Sequence, residues 1–270
     1  MARTRRWAGM VVAVWVMGTL LAGAQAPDRL SDLDVKRLIA DLAKSRDAFE
    51  AQLDDSAKNA VITGPRGDVR VREYLDQFKL SVDNVKNRFT EQYSANSEAQ
   101  TVLRQGTDIQ KFLASRPAGP AAAAWETVAT SLKQLAVAYR VVFPLASTSV
   151  TRRINDGSVE LAAETLANEA KRLSDTISRE VGYSKEDRET LKAHLDIVSK
   201  ESKQIRKNAS QSKTAGAEAQ RMLDAAVAVT KYFQEHAPSP TVASQWTVVR
   251  DPVERIVGAY GIPMPSFVKK

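Results

Sequence analysis

Apolar residues recur along this chain in steps of three and four. Val71, Leu75, Phe78, Val82, Val85 and Phe89 stand 4, 3, 4, 3 and 4 residues apart, the stripe that an amphipathic helix turns toward a core. Comparable stripes run through Val35, Leu42, Phe49 and Leu53, through Ile109 and Leu113 behind "EAQTVL", and through Trp125, Val128, Leu132, Leu135 and Tyr139. The intervening positions are rich in Ala, Glu, Lys, Gln and Arg, which are good helix formers, while glycine and proline are scarce inside the stripes. The pattern predicts an all-α protein.

The second half of the chain repeats the first. Adding 120 to the residues of the first stripe gives Leu191, Leu195, Val198, Ser202, Ile205 and Ala209, the same stripe with smaller side chains. "EAQTVL" at 98–103 is answered by "EAQRML" at 218–223, and Trp125 through Tyr139 are answered, 121 residues on, by Trp246, Val249, Val253, Ile256 and Tyr260. Val35, Leu42, Phe49 and Leu53 align with Val159, Leu166, Leu173 and Ile177 at a spacing of 124. The change from 124 to 120 requires four extra residues in the first half, and "GPRG" at 64–67 has the turn chemistry to supply them. The prediction is two tandem, internally duplicated antiparallel four-helix bundle units, 28–144 and 158–263.

Residues 145–157 read as a linker, with Asn155-Asp156-Gly157 as a turn and Ser158 as the helix N-cap, and 264–270 as a tail. Pro252 falls where the last helix should continue. Its missing N–H and its ring predict a kink there, or a restart with Asp251 as the new cap.

The N-terminus adds an address. Arg3, Arg5 and Arg6 precede an apolar run from Trp7 to Leu21 and the small-residue stretch "AGAQA" at 22–26, the layout of a secretory signal peptide. Residues 1–24 are read as that signal, with the mature chain starting at Gln25, because a cut after Ala26 would set Pro27 beside the scissile bond. The protein is expected to be exported, to the periplasm or beyond, and to touch a membrane only through this segment if it stays uncleaved.

Composition narrows the chemistry. The 270 residues contain no cysteine, which excludes disulfides, thiolate metal sites and cysteine nucleophiles. The formal charge is +7, and subtracting the signal's three arginines leaves +4, a weak basic bias with no nucleic-acid recognition motif behind it. Nucleic acid is not an expected partner. No Glu-x-x-His motif of a di-iron bundle occurs. "SQSK" at 210–213 fits S-x-x-K but lacks the companion motifs of serine acyl-transfer enzymes. The expectation is a protein that is not an enzyme and carries no cofactor or metal.

Two surface and core features compete for a binding role. Lys192, Lys200, Lys203 and Lys207 fall within about 80° of one another on a helix, opposite the Leu191–Ile205 stripe, and could face an anionic partner. His194 and Met222, on neighbouring predicted helices, are a conceivable haem ligand pair, although Tyr74 and Val102 occupy the matching places in the first half. Trp125 and Trp246 lie on apolar faces and read as core. The function expected is that of an exported, non-catalytic helical binding or scaffolding protein of the cell envelope, its partner an envelope protein or an anionic polymer. The alternative is a periplasmic ligand or haem-like cofactor carrier with its cavity in the second unit, where Phe78, Val82 and Phe89 become Val198, Ser202 and Ala209.

Overall fold

A computed structural model describes residues 29–65, 67–116 and 119–265. The segment read as a signal peptide, Pro117 and the end of the tail lie outside the described residues. In chain order the elements are α1 (Asp32–Ala51), α2 (Asp55–Asn59), β1 (Val61–Gly64), β2 (Gly67–Arg70), α3 (Val71–Arg88), α4 (Asn96–Ala114), α5 (Pro120–Ala138), α6 (Asp156–Arg179), α7 (Lys185–Ser210), α8 (Gly216–Glu235) and α9 (Pro240–Tyr260). The protein is mostly helical, and among the described residues no helix is long and apolar enough to cross a membrane.

Local chemistry sets the helix ends. Ser31 and Asp34 form a capping box that opens α1. Ser184 caps α7, and Ser239 caps α9 ahead of Pro240 at the first turn, where a missing N–H costs nothing. The cap of α6 is Asn155, whose side chain accepts from Ser158 N. This moves the expected start three residues earlier, so that the supposed turn is the first turn of the helix.

Two sets of four helices each close a ring of contacts. In the first, α1 packs on α5 and α3, and α4 packs on α3 and α5; in the second, α7 packs on α6 and α8, and α9 packs on α6 and α8. Each ring encloses its own apolar core. Val35, Phe49, Phe78, Trp125 and Leu132 belong to one, and Leu166, Leu195, Met222, Val249 and Ile256 to the other. Trp125 is enclosed, edge-on to Phe49 at 5.0 Å, and its indole N–H donates to Gln110 Oε1 at 2.5 Å. Trp246 meets Phe233 edge-on at 5.7 Å.

Three features depart from the sequence reading. The α9 helix runs through Pro252 as one element, without a restart; the proline is buried, so its ring gains packing that offsets the lost backbone bond. Residues around "GPRG" are not a plain loop but an antiparallel hairpin, with Ile62 opposite Val69 and Gly64 opposite Gly67. Val61, Ile62 and Thr63 are β-branched, and Gly67 holds a φ of 104°, open to glycine. Finally, residues 145–155 are tied down along α4. Leu145 N donates to Thr107 Oγ1 at 2.7 Å, Thr151 Oγ1 to Asn96 O at 2.8 Å, and Arg153 N to Asn96 Oδ1 at 2.7 Å.

Where the rings meet, four charged residues make a reciprocal exchange. Arg29 pairs with Asp156 and Arg153 with Asp32, the latter at 2.6 Å. Arg29 also donates to Ile154 O at 2.6 Å, and Arg153 to Leu30 O at 2.9 Å. Asp32 N donates to Asp156 Oδ2 at 2.8 Å, and Asp156 N to Asp32 Oδ2 at 2.8 Å. Each carboxylate thus sits at the N-terminus of the other's helix, where the backbone N–H groups favour a negative charge. A Cβ on Gly157 would lie 3.0 Å from Glu91 O, so the start of α6 presses directly on the segment before α4.

Candidate functional site

The first strand of the hairpin packs on α3 and α4, and the second on α3. Beneath the hairpin is Tyr74 of α3, 2% exposed. A Cβ on Gly64 would come within 2.5 Å of the Tyr74 ring, so only glycine lets the hairpin backbone rest there. The Tyr74 hydroxyl donates to Asp108 Oδ2 at 2.7 Å, crossing to α4. Burial, and then the Asp108 carboxylate, push its ionisation far above the usual phenol range.

This placement leaves an open cleft on each flank of the hairpin. One, of about 720 Å³, is bounded by β1, by α4 at Arg104, Asp108 and Lys111, and by Leu145–Ser147. The other, of about 760 Å³, is bounded by β2, by α3 at Gln77 and Ser81, and by α4 at Gln100, Thr101 and Gln105. They meet at Gly64, Pro65 and Arg104. Gln105 Oε1 is buried at the wall of the second cleft with no hydrogen-bond partner among the described residues, an acceptor waiting for a donor. The polar part of the lining is amide, hydroxyl and cation, with its one carboxylate, Asp108, already bound by Tyr74, and Val61, Val69, Leu80, Phe112 and Leu145 add apolar walls.

Family models, curated proteins and solved structures give no match to this chain. Any reading of function therefore rests on the geometry.

The residues singled out by sequence fall elsewhere. Lys192, Lys200, Lys203 and Lys207 are all exposed along α7, as is Asp196 between them, and none of the four lysines forms an ion pair among the described residues. Glu201, on the same helix, is buried and holds Arg221 at 2.8 Å. His194 is half-buried on α7, whereas Met222 is fully enclosed in the second core on α8. His236 stacks on Tyr232, one turn before it, at 4.4 Å. Ser202 is fully buried, its hydroxyl donating to Val198 O at 2.7 Å, and α6 and α7 make the most extensive helix contact among the described residues. Among the described residues no group of three or more His, Asp or Glu is placed to hold a metal ion.

Two groups escaped the sequence reading. The cleft residues on α4 are ordinary surface letters whose role depends on the hairpin beside them; the run Val61–Thr63 ahead of "GPRG" was the available signal. The Arg/Asp exchange is written as R-x-x-D at 29–32 and again at 153–156, the same spacing of 124 that relates the first helices.

Proposed function

We propose that this is an exported, non-catalytic binding protein of the cell envelope, built from two duplicated four-helix units, which holds a polar and weakly anionic polymer in the cleft around its hairpin. The observation that carries the reading is the double cleft itself, which exists because the first ring has a hairpin where the second has none described. A duplicated fold keeps its core and diverges at its surface, and this is the largest divergence between the halves. The duplication reading draws support from the matching ring order of the helices and from the reciprocal Arg/Asp exchange. The lining supports the ligand class: Arg104 and Lys111 supply positive charge, while Gln77, Ser81, Gln100, Thr101 and Gln105 supply donors and acceptors to hydroxyls.

The test is co-sedimentation of the purified protein with isolated envelope polysaccharide. Retention should fall at least tenfold in Arg104→Gln/Gln105→Leu, while the four-lysine variant (Lys192, Lys200, Lys203 and Lys207 to Gln) should bind as before. Retention that follows the lysines and ignores Arg104 would move the binding face to α7 and sink the cleft.

A further inference from the structure

A second, smaller pocket lies between the two rings and is independent of the hairpin cleft. It has a volume of about 240 Å³ and is lined by Arg29, Arg140, Arg153, Ala259 and Tyr260, among others. With water occupying about 30 Å³ in the liquid, this is room for one oxyanion group and its immediate substituent.

Its charges do not balance. Three arginines line it, and the two carboxylates that answer them, Asp32 and Asp156, are spent: each gives one oxygen to an arginine and the other to a backbone N–H of the opposite helix. Arg140 donates only to the carbonyl of Ala259 and pairs with no carboxylate among the described residues. The guanidinium groups of Arg140 and Arg153 are held below their usual ionisation range, first by burial and then by the positive charge of Arg29. For Arg153 the Asp32 carboxylate acts against this, whereas Arg140 has no such partner among the causes of its shift.

Two buried donors are also idle. Among the described residues Arg153 Nε and Tyr260 Oη have no hydrogen-bond partner, on residues that are 5% and 2% exposed. Buried polar groups are ordinarily paired. An N–H and a phenol O–H that lack partners call for an acceptor, and surplus positive charge beside them favours a negative one.

We infer that this pocket binds a small oxyanion, a phosphate or carboxylate group, with Arg140 as the cation on its open side and Arg153 and Tyr260 as donors from its inner wall. The planar guanidinium fork suits two oxygens of such a group at once. Arg140 follows α5 and Tyr260 ends α9, so the bound anion joins the two rings across their junction. Arg140 also takes a left-handed φ of 60°, where the place 121 residues on holds Gly261 at 69°; a Cβ at 261 would lie 2.7 Å from Arg140 Nη1, so the glycine leaves room for the arginine.

The experiment uses the full chain. Inorganic phosphate and acetate are titrated separately at millimolar concentration against thermal unfolding and calorimetric binding, with chloride at matched ionic strength as reference, which removes the general effect of excluded salts. At least one anion should raise Tm with a saturable curve, and the one that does so names the group. Arg140→Gln and Tyr260→Phe should each weaken that binding tenfold or more, whereas Arg104→Gln in the hairpin cleft should leave it unchanged. Tyr260→Phe removes a single oxygen and keeps the ring, so it reads the site even where the arginine variant folds poorly. Responses to both anions no larger than to chloride overturn the inference, and so does saturable binding that survives in both variants.

Discussion

Tyr74, Tyr139 and Tyr260 show how much of this protein's behaviour with pH rests on single side chains. All three are buried, and burial disfavours the phenolate. Tyr260, like Tyr232, is pushed up to about 12, with burial the first cause in each, while Tyr74 and Tyr139 are pushed higher still. Unfolded, these groups release their protons near pH 10.0. Their stabilisation is therefore complete below pH 10 and is lost as pH rises toward 12 and beyond, because the unfolded chain then binds fewer protons than the folded one. In a pH titration of the folded protein, tyrosinate absorbance should not rise with a midpoint near 10 for these four residues. For the buried Tyr74, Tyr139 and Tyr260 it should instead appear together with loss of the helical circular dichroism signal. Buried phenols ionising near pH 10 with the helical signal intact would contradict the placement of Tyr74, Tyr139 and Tyr260. Which aromatic residues are core was legible from spacing alone, as Trp125 illustrates. Its partner Gln110 was not, because that bond crosses from α5 to α4 and no local pattern encodes it.

At the scale of elements, the long helices were legible because each repeats its apolar step several times, so that no single residue decides the outcome. The hairpin was not. Its strands are four residues each, which gives alternation too few cycles to register, and its "GPRG" tip carries the same letters as a loop. Pro252 erred in the other direction: the helix-breaking rule is local, whereas the buried ring gains packing within α9's contacts with α6 and α8. The start of α6 shifted because Asn and Ser cap about equally well, and Asp156, one residue after Asn155, is fixed by the exchange with Asp32. The hairpin gives the element-scale prediction. Gly67 at φ 104° admits no β-branched residue without strain, so Gly67→Val should cost about 1–3 kcal/mol. Hydrogen exchange should quicken at Ile62 and Val69, which face each other across the ladder, while the helices keep their protection. Unchanged exchange at that pair would mean that the turn at Gly67 does not hold the strands.

For the molecule as a whole, two cores with no shared cluster would be free to unfold separately unless their junction couples them. The links seen across that junction are polar: the exchange of Arg29, Asp32, Arg153 and Asp156, with the bond from Arg140 to Ala259 O beside it. Arg153 and Asp32 are 2% and 9% exposed at their side chains, so removing one partner strands the other charge away from water. Breaking a buried pair in this way typically costs about 3–5 kcal/mol. Each aspartate does a second job as acceptor for the backbone of the opposite helix, so Asp32→Ala loosens the start of α6 as well as its own ion pair. Wild-type protein should therefore unfold in one transition, with calorimetric and van't Hoff enthalpies in agreement. Asp32→Ala/Asp156→Ala leaves both cores intact and removes both bridges, so it should separate unfolding into two transitions, with the calorimetric enthalpy exceeding the van't Hoff value. Should the double variant still melt as one unit, the coupling would lie instead in the bond from Arg140 to Ala259 O and in residues 145–155, which run along α4 from the end of α5 to the start of α6. The exchange would then be a local cap for two helices and not the link between the rings.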